Sequence, residues 1–487
     1  MTATAGHGPP RPGRTSRLDS AARRLSPPER ARRGKGARSA VPRESHAACD
    51  PPADRDDPVS LLERQAVTRL PDLVPVWYGR MLASPFGYFR GAALAMAADL
   101  ATTPVSGLAV QACGDAHLSN FGVFASPERA LVFDLNDFDE TLPGPWEWDV
   151  KRLAASLEVA GRENGYRRGQ RRKIVTVAVR RYREAMRGFA AQASLAVWYA
   201  RADVAELREQ FRAQLSARAR KKADQTVAKA RTRDSMQALG KLTRMVDGRP
   251  RIVADPPLLV PADDLVPADA DRARLQAELA ALVARCRRSL GTDRRYLLEQ
   301  FEVADIARKV VGVGSVGTRC WIVLMLGRDS SEPLFLQVKE AGPSVLEGFA
   351  GASEYASHGQ RVVAGQRLMQ AASDMFLGWH PTRTGPGSTP PYDFYIRQLW
   401  DWKASADIAT MTPAAMRAYG QLCGWTLARA HARSGDRIAI AAYLGRSAVF
   451  DQAIGEFAAA YADQNERDYG ALAAASKAGR VAAERGV

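Results

Sequence analysis

Cysteine and histidine are scarce in this sequence. Its 487 residues hold six histidines and five cysteines: Cys49, Cys113, Cys286, Cys320 and Cys423. The cysteines are odd in number, lie far apart and form no CxxC pair. That pattern excludes a disulfide framework and a structural zinc cage, and fits a reduced cytoplasmic setting. No window approaches twenty consecutive apolar residues, so neither a transmembrane helix nor a membrane partner is predicted. The N-terminus has no apolar signal core, which argues against export. No internal repeat is visible.

What is present is an ordinary globular composition with one bias. A hydrophobic content of 46% over this length is enough for two or three domains with buried cores. The formal net charge is +16, carried mostly by arginine in a chain also rich in Ala, Gly and Pro. GC-rich coding produces that composition, so the charge does not by itself indicate a nucleic-acid binder. A positive field favours an anionic ligand such as a nucleotide.

Residues 1–50 are Pro-, Arg- and Gly-rich and poor in apolar groups, which predicts a basic disordered tail. From Asp57 onward, "PVSLLERQAVTRLPDLVPVWYGRML" spaces its apolar residues at three and four, as a helix does. "SPFGYFRGAALAMAADLA" follows, flanked by Arg80 and Arg90, which read equally as surface arginines or as phosphate-facing ones. "ALVFDLNDF" has the pattern of a short strand, and "WEWDVKRLAASLEVAGREN" that of a helix. Residues 200–300 are expected to be mostly helical. From about residue 308 two β-branched runs, "RKVVGVGSVGTRCWIVLMLG" and "PLFLQVKEA", predict antiparallel strands. A helix around "GQRVVAGQRLMQAAS", the strand "YDFYIRQLW" and two closing helices complete an α+β chain.

Gly312, Gly314 and Gly317 spell GxGxxG. A dinucleotide fold would place a helix after these glycines. Here a second strand follows, so the loop is a hairpin cap, the arrangement that covers ATP phosphates in protein kinases. Lys339, inside the next apolar strand, costs desolvation unless it meets an anion. Far upstream, "CGDAHLSN" sets Asp115 and Asn120 five apart, the spacing of a kinase catalytic Asp and its magnesium-binding Asn. Magnesium takes hard oxygen ligands, and "ALVFDLNDFDE" supplies further carboxylates after a short strand.

These residues carry a resemblance. "GDAHLSN" resembles the HGDxHxxN loop of aminoglycoside-phosphotransferase-like kinases, with Cys113 in place of the first His. "DFDETLPGPWEWDVKRLA" is similar to their metal-binding segment, and "LARAHA" resembles the helix that precedes their catalytic loop. The resemblance implies ATP and magnesium as cofactors. It implies Asp115 as catalytic base, Asn120 and Asp137 as magnesium ligands, and Asp149 as a buried brace of the loop. Asp134 and Asp139 compete with Asp137 for the metal, and His117 is a brace or a second catalytic group. Gly312, Gly314, Gly317 and Lys339 would hold the nucleotide.

The order of these elements is rotated, with the catalytic loop before the glycine loop. A circularly permuted, two-lobed, protein-kinase-like fold is therefore expected. Residues 51–300 would form a large helical lobe with the catalytic loop and metal strand. Residues 301–402 would form a small β-rich nucleotide-binding lobe, and 403–487 would return to the large lobe. Longer runs, among them "LVPVWYGRMLASPFGYFRGAA", "YIRQLWDWK" and "YADQNERDY", resemble the bacterial domain-of-unknown-function family 2252.

The function expected is an ATP- and magnesium-dependent phosphotransferase. Its acceptor would be a small-molecule hydroxyl, because no peptide-docking activation segment is recognisable. A nucleotide-binding pseudokinase is the alternative. A metallohydrolase on Asp115, His117, Asp134 and Asp137 suffers from histidine poverty, and a basic nucleic-acid binder is the remaining reading. Lys339 lacks an evident acidic partner, with Glu347, Glu354 and Gln366 the nearest choices downstream. The phosphotransferase reading requires the Lys339 amine to lie within a nucleotide's reach of the Asp137 carboxylate.

Overall fold

Alternation along one strand decides the layering of the sheet lobe. In Cys320–Leu326, Trp321, Val323 and Met325 enter one hydrophobic cluster, while Ile322 and Leu324 enter another. A strand places successive side chains on opposite faces, so this sheet is covered on both sides. The computed structural model describes residues 25–211, 217–266, 269–380, 392–399 and 401–487.

We number the strands along the chain. β1 (Ala109–Ala112), β2 (Phe121–Ala125), β3 (Leu131–Leu135), β4 (Leu142–Pro145) and β5 (Ala202–Asp203) come first. β6 (Thr243–Val246) and β7 (Arg249–Ile252) form a hairpin. β8 (Leu259–Pro261), β9 (Glu302–Lys309), β10 (Cys320–Leu326), β11 (Pro333–Ala341), β12 (Gly378–Trp379) and β13 (Asp393–Gln398) follow, then β14 (Ala404–Ser405). Among the described residues, β8 to β13 form one antiparallel sheet in the order β12-β13-β11-β10-β9-β8. A second sheet runs β14-β2-β3-β5, and β1 pairs with β4.

The chain is thus α+β, as expected, and the residues that pack with the β8–β13 sheet begin earlier than residue 301. β8 joins the sheet. The helix Asp269–Arg287 sets Leu279, Leu282, Val283 and Cys286 against Val338, Phe394 and Ile396. On the other face, Ala238, Leu242 and Ile252 pack on Ile322, Leu324 and Phe335. Residues from about 235 onward therefore belong to the sheet lobe. The short strands β6 to β8 were hidden by charged residues and prolines that break their apolar alternation.

In the large lobe, the helices Trp146–Glu163, Arg168–Ala190, Pro413–Ser434 and Val449–Lys477 share one core with β1 to β4. One of its buried charge pairs joins two of these helices. Arg183 makes a bidentate contact with Asp451 at 2.9 and 2.8 Å. A separate core joins the helices Pro58–Ala66, Val74–Met81 and Ala93–Ala101 to the glycine-loop residues Val310, Val313 and Val316.

The expected tail is also shorter than 50 residues. Residues 1–24 lie outside the described residues, but Pro27–Ala40 is an α-helix. The Glu29 carboxylate accepts from the Ser26 N–H at 2.7 Å, and Pro27 opens the helix. The helix docks without an apolar stripe, which is why composition missed it. Arg30 reaches Asp436 at 2.8 Å, and buried Gly34 lies so close to the Arg437–Leu444 helix that a Cβ would overlap the Ala439 carbonyl. Beyond it, the His46 ring nitrogen Nε2 lies 2.6 Å from the Tyr443 hydroxyl.

Gly34→Ala forces a methyl against that carbonyl. We expect it to lower the free energy of urea unfolding by about 1–3 kcal/mol and to speed proteolysis near residues 41–52. An unchanged urea midpoint would contradict the docked helix.

Candidate active site

The loop Cys113–Asn120 connects β1 to β2 and is held from beneath by one carboxylate. Asp149 stands in the first turn of the Trp146–Glu163 helix, where a negative charge is favoured. Its oxygens accept the N–H groups of Cys113 at 2.6 Å and Gly114 at 2.9 Å. His431, on the Pro413–Ser434 helix, places Nε2 3.0 Å from Asp149 and Nδ1 2.9 Å from the Tyr182 hydroxyl. The helix carrying "LARAHA" thus touches the brace of the loop, despite its distance in sequence.

Asp115 is gripped by Arg152, whose Nε and Nη2 lie 2.8 and 2.6 Å from Oδ1. Burial pushes the Asp115 carboxyl up, but Arg152, His117 and Arg90 outweigh it and hold it below its ordinary range. It is ionised at neutral pH. His117 is buried, and desolvation drives its pKa down to about 3, so it is neutral. Its Nδ1 accepts the Ser119 N–H at 3.1 Å, which leaves the proton on Nε2, 3.6 Å from Asp115 Oδ2. His117 therefore presents an N–H toward the second carboxylate oxygen without reaching hydrogen-bond distance. Asn120 donates its Nδ2 to the Asp115 carbonyl at 2.7 Å, so its side-chain oxygen is the end left for a ligand.

After β3, the segment Asn136–Glu140 meets the sheet lobe. Lys339 shares its face of β11 with Phe335 and Gln337, away from the Asp269–Arg287 helix. Its amine lies 2.5 Å from Asp139 Oδ2 and 3.8 Å from Asp137 Oδ1. Desolvation alone would depress this buried lysine, yet the two carboxylates hold its pKa well above the ordinary value. Asp139 also accepts from the Tyr395 hydroxyl at 2.6 Å and from Ser315 Oγ, in the glycine loop, at 3.3 Å. Burial pushes the Asp139 carboxyl up, but Lys339 first, then Tyr395 and Arg397, outweigh it and lower its pKa. Asp137 has less support. Burial and the neighbouring Asp139 charge raise its pKa.

Both halves open onto one cavity of about 410 Å³, a size that suits a small ligand. Its walls include Asp115, His117, Asn120 and Asp137 from the large lobe, and Gly312, Gly314, Ser315 and Thr318 from the glycine loop. Gly312 and Gly317 have φ of +63° and +86°, a backbone that L side chains rarely adopt. The N-terminal helices supply the remaining wall, with Arg69, Arg90 and Leu94.

Asp134 stands elsewhere. It lies outside this cavity, 1% exposed, with Arg429 at 2.5 Å and the Ala371 N–H at 2.9 Å. An ion-paired, enclosed carboxylate is not a metal ligand here. Among the described residues, no three His, Cys, Asp or Glu side chains form a metal cage. Magnesium needs no such cage, since it binds through one or two protein oxygens plus substrate phosphates. Asn120 and Asp137, both on the cavity wall, fit that requirement.

A family model described as an uncharacterized protein conserved in bacteria, DUF2252, matches residues 69–475. The chain belongs to the DUF2252 family. No curated protein and no solved structure matches it. The DUF2252 match spans the catalytic-type loop, the acidic segment, the glycine loop and Lys339.

Sequence reasoning missed the partner of Lys339. Glu347 instead accepts from the Ser344 N–H at 3.1 Å, and Gln366 bonds Gln370 at 2.9 Å. The helix His358–Met369 presents Arg361, which donates to the carbonyls of Asp139, Thr141 and Gly342. Arg397 is turned inward, to Gln337 and the Asn136 carbonyl, whereas Asp401 makes a surface ion pair with Arg129 at 2.6 Å. No spacing rule joins residue 139 to 339. The signal was a surplus carboxylate beside a lysine that lacked one.

Two outcomes separate these carboxylates. Asp134→Ala leaves Arg429 buried without its counter-charge and should cost about 3–5 kcal/mol of unfolding free energy, read by denaturant titration. Glu140, on the cavity wall, has its pKa raised to about 7, by burial first. Its folded pKa lies above the unfolded one, so its contribution to stability is full below about pH 4.5 and lost as pH rises through about 7. Glu140→Gln should flatten the unfolding profile in that window, and an unaltered profile would contradict the assignment.

Proposed function

We propose that this protein is an ATP- and magnesium-dependent phosphotransferase, with a circularly permuted kinase-like arrangement and a small-molecule hydroxyl as acceptor. One observation carries the reading. Lys339, on β11, the second strand after the glycine loop, brings its amine within 3.8 Å of Asp137, beside a cavity shared by the glycine loop and the Asp115–Asn120 loop. Kinases keep their lysine on the third strand, near the metal-binding Asp.

In this reading the glycine loop covers the phosphates and Lys339 neutralises their charge. Bound magnesium would supply charge neutralisation between phosphate oxygens, held by Asn120 and Asp137. Asp115 accepts a hydrogen bond from the acceptor hydroxyl and points its oxygen at the terminal phosphorus. The new bond forms between that oxygen and phosphorus while the bond to the β–γ bridging oxygen breaks. ADP leaves, and the hydroxyl proton passes to Asp115 and then to solvent. Because Asp115 is held ionised by Arg152, its main contribution is orientation, with proton transfer late in the step.

A nucleotide-binding pseudoenzyme is the second reading, and Arg361 favours it. Kinases pair the lysine with a Glu from the following helix. Here that helix offers an arginine, and Asp139 holds the lysine instead.

Asp115→Asn decides between them. The first reading expects phosphate transfer or release to fall by about 10²-fold or more, with Mg·ATP affinity changed less than about threefold by calorimetry. Wild-type protein that binds Mg·ATP without turnover across acceptor panels would establish the second. Asp137→Asn should raise the magnesium concentration that nucleotide binding requires in either case, so wild-type nucleotide binding indifferent to magnesium would count against both.

A further inference from the structure

Most arginines around the cavity are engaged. Arg152 holds Asp115, Arg361 holds three carbonyls, Arg80 donates to the Gly312 carbonyl at 2.5 Å, and Arg69 donates to the Val316 carbonyl and stacks on Trp77. Arg90 is different. Among the described residues, no hydrogen bond or ion pair reaches its guanidinium, and its Nε is buried without a partner. It lines the cavity at the end of the Pro85–Gly91 helix, directly against the glycine loop. A Cβ built on Gly314 would stand 3.4 Å from the Arg90 carbonyl, and one on Gly91 would stand 3.4 Å from Val313 Cγ1.

Arg90 is half-buried, with Nε enclosed and no counter-ion among the described residues paired to it, so an anion entering the cavity meets a partly desolvated guanidinium. Asp115 and Asp137 both act on Arg90 electrostatically, yet burial wins and lowers its pKa. Those two carboxylates mark the acceptor side and the metal side of the proposed reaction. Whatever lies between them is the group in transfer.

We propose that Arg90 is a catalytic residue of the phosphotransfer, its guanidinium meeting the terminal phosphoryl group of the nucleotide. The assignment rests on the phosphotransferase reading. A planar guanidinium can donate to two phosphate oxygens at once, which a lysine cannot. An arginine supplied in cis this way stabilises charge on the transferring group, and removing such a group costs about 10³–10⁵-fold in rate elsewhere. Arg90 comes from the N-terminal helices, a different wall from the strand that carries Lys339, so the two cations approach the phosphate chain from separate directions.

The test uses the full chain with Arg90→Gln, Arg90→Ala and Arg90→Lys. Calorimetry compares the Mg complex of the β,γ-imido ATP analogue with Mg·ADP, phosphate release from ATP is measured, and ligand-free thermal unfolding is recorded. The neutral variants should bind the triphosphate analogue about tenfold or more weakly and Mg·ADP within about twofold. Their phosphate release should fall by about 10²-fold or more, with partial recovery in Arg90→Lys. Their ligand-free Tm should hold, because the guanidinium makes no hydrogen bond or ion pair that the substitution would break. Equal effects on both nucleotides, no effect on either, or a Tm lowered by several degrees in both neutral variants would overturn the role of Arg90 alone. Wild-type protein that binds neither nucleotide would overturn the phosphotransferase reading, and this assignment with it.

Discussion

The contact between Lys339 and the Asp137–Asp139 pair is the constraint on which the site depends. A lysine that is 2% exposed cannot stay charged without carboxylates, and two adjacent carboxylates cannot both stay ionised without a cation. The strand that carries Lys339 and the segment that carries the two aspartates therefore each hold half of an arrangement that is costly alone. Their contact fixes how the sheet meets the acidic segment. Tyr395 and Ser315 from the sheet lobe converge on Asp139 as well. Arg361 takes the Asp139 and Thr141 carbonyls, so the backbone of the acidic segment is fixed as firmly as its side chains. The cavity exists because this contact sets the distance between its walls.

The same logic answers why so basic a chain gathers acids around residues 115–149. Arginine is the cation suited to buried, forked contacts. Arg152 takes Asp115 and Arg429 takes Asp134, each from a different helix. The acidic segment is thus a set of anchor points for cations arriving from distant parts of the chain. Four of the acids, Asp115, Asp137, Asp139 and Glu140, still line the cavity after these contacts are made. The chemistry proposed for the site uses what the structural pairing leaves over.

Much of this was legible where a local rule applied. Strand–glycines–strand marked the hairpin, five-residue spacing marked Asp115 and Asn120, and the "LARAHA" helix was expected against the loop that it braces. Legibility failed where contacts were long-range or where polarity masked packing. Asp134 and Asp137 look alike in sequence, and only the arrival of Arg429 separates an enclosed carboxylate from a cavity one. The Pro27–Ala40 helix docks through Arg30 and the missing side chain of Gly34, features that composition reads as disorder. β8 is three residues long and gains its identity from pairing with β9.

The glycine loop itself sits in an unusual mechanical setting. Val313 and Val316 are 8% and 0% exposed, buried among the N-terminal helices, with Leu472 and Val481 in the same core. Arg80 donates to the Gly312 carbonyl and also to the Val487 carbonyl, and the Leu70 N–H donates to Gly317 at 2.7 Å. Lifting the loop alone would expose two valines, about 1.5–3 kcal/mol each, and break these hydrogen bonds at about 1 kcal/mol apiece. Carrying the N-terminal helices along would keep the bonds from Arg80 and Leu70 to the loop, but Leu472, Val481 and Val487 belong to the C-terminal segment. The glycine loop is therefore anchored through segments from both ends of the sequence.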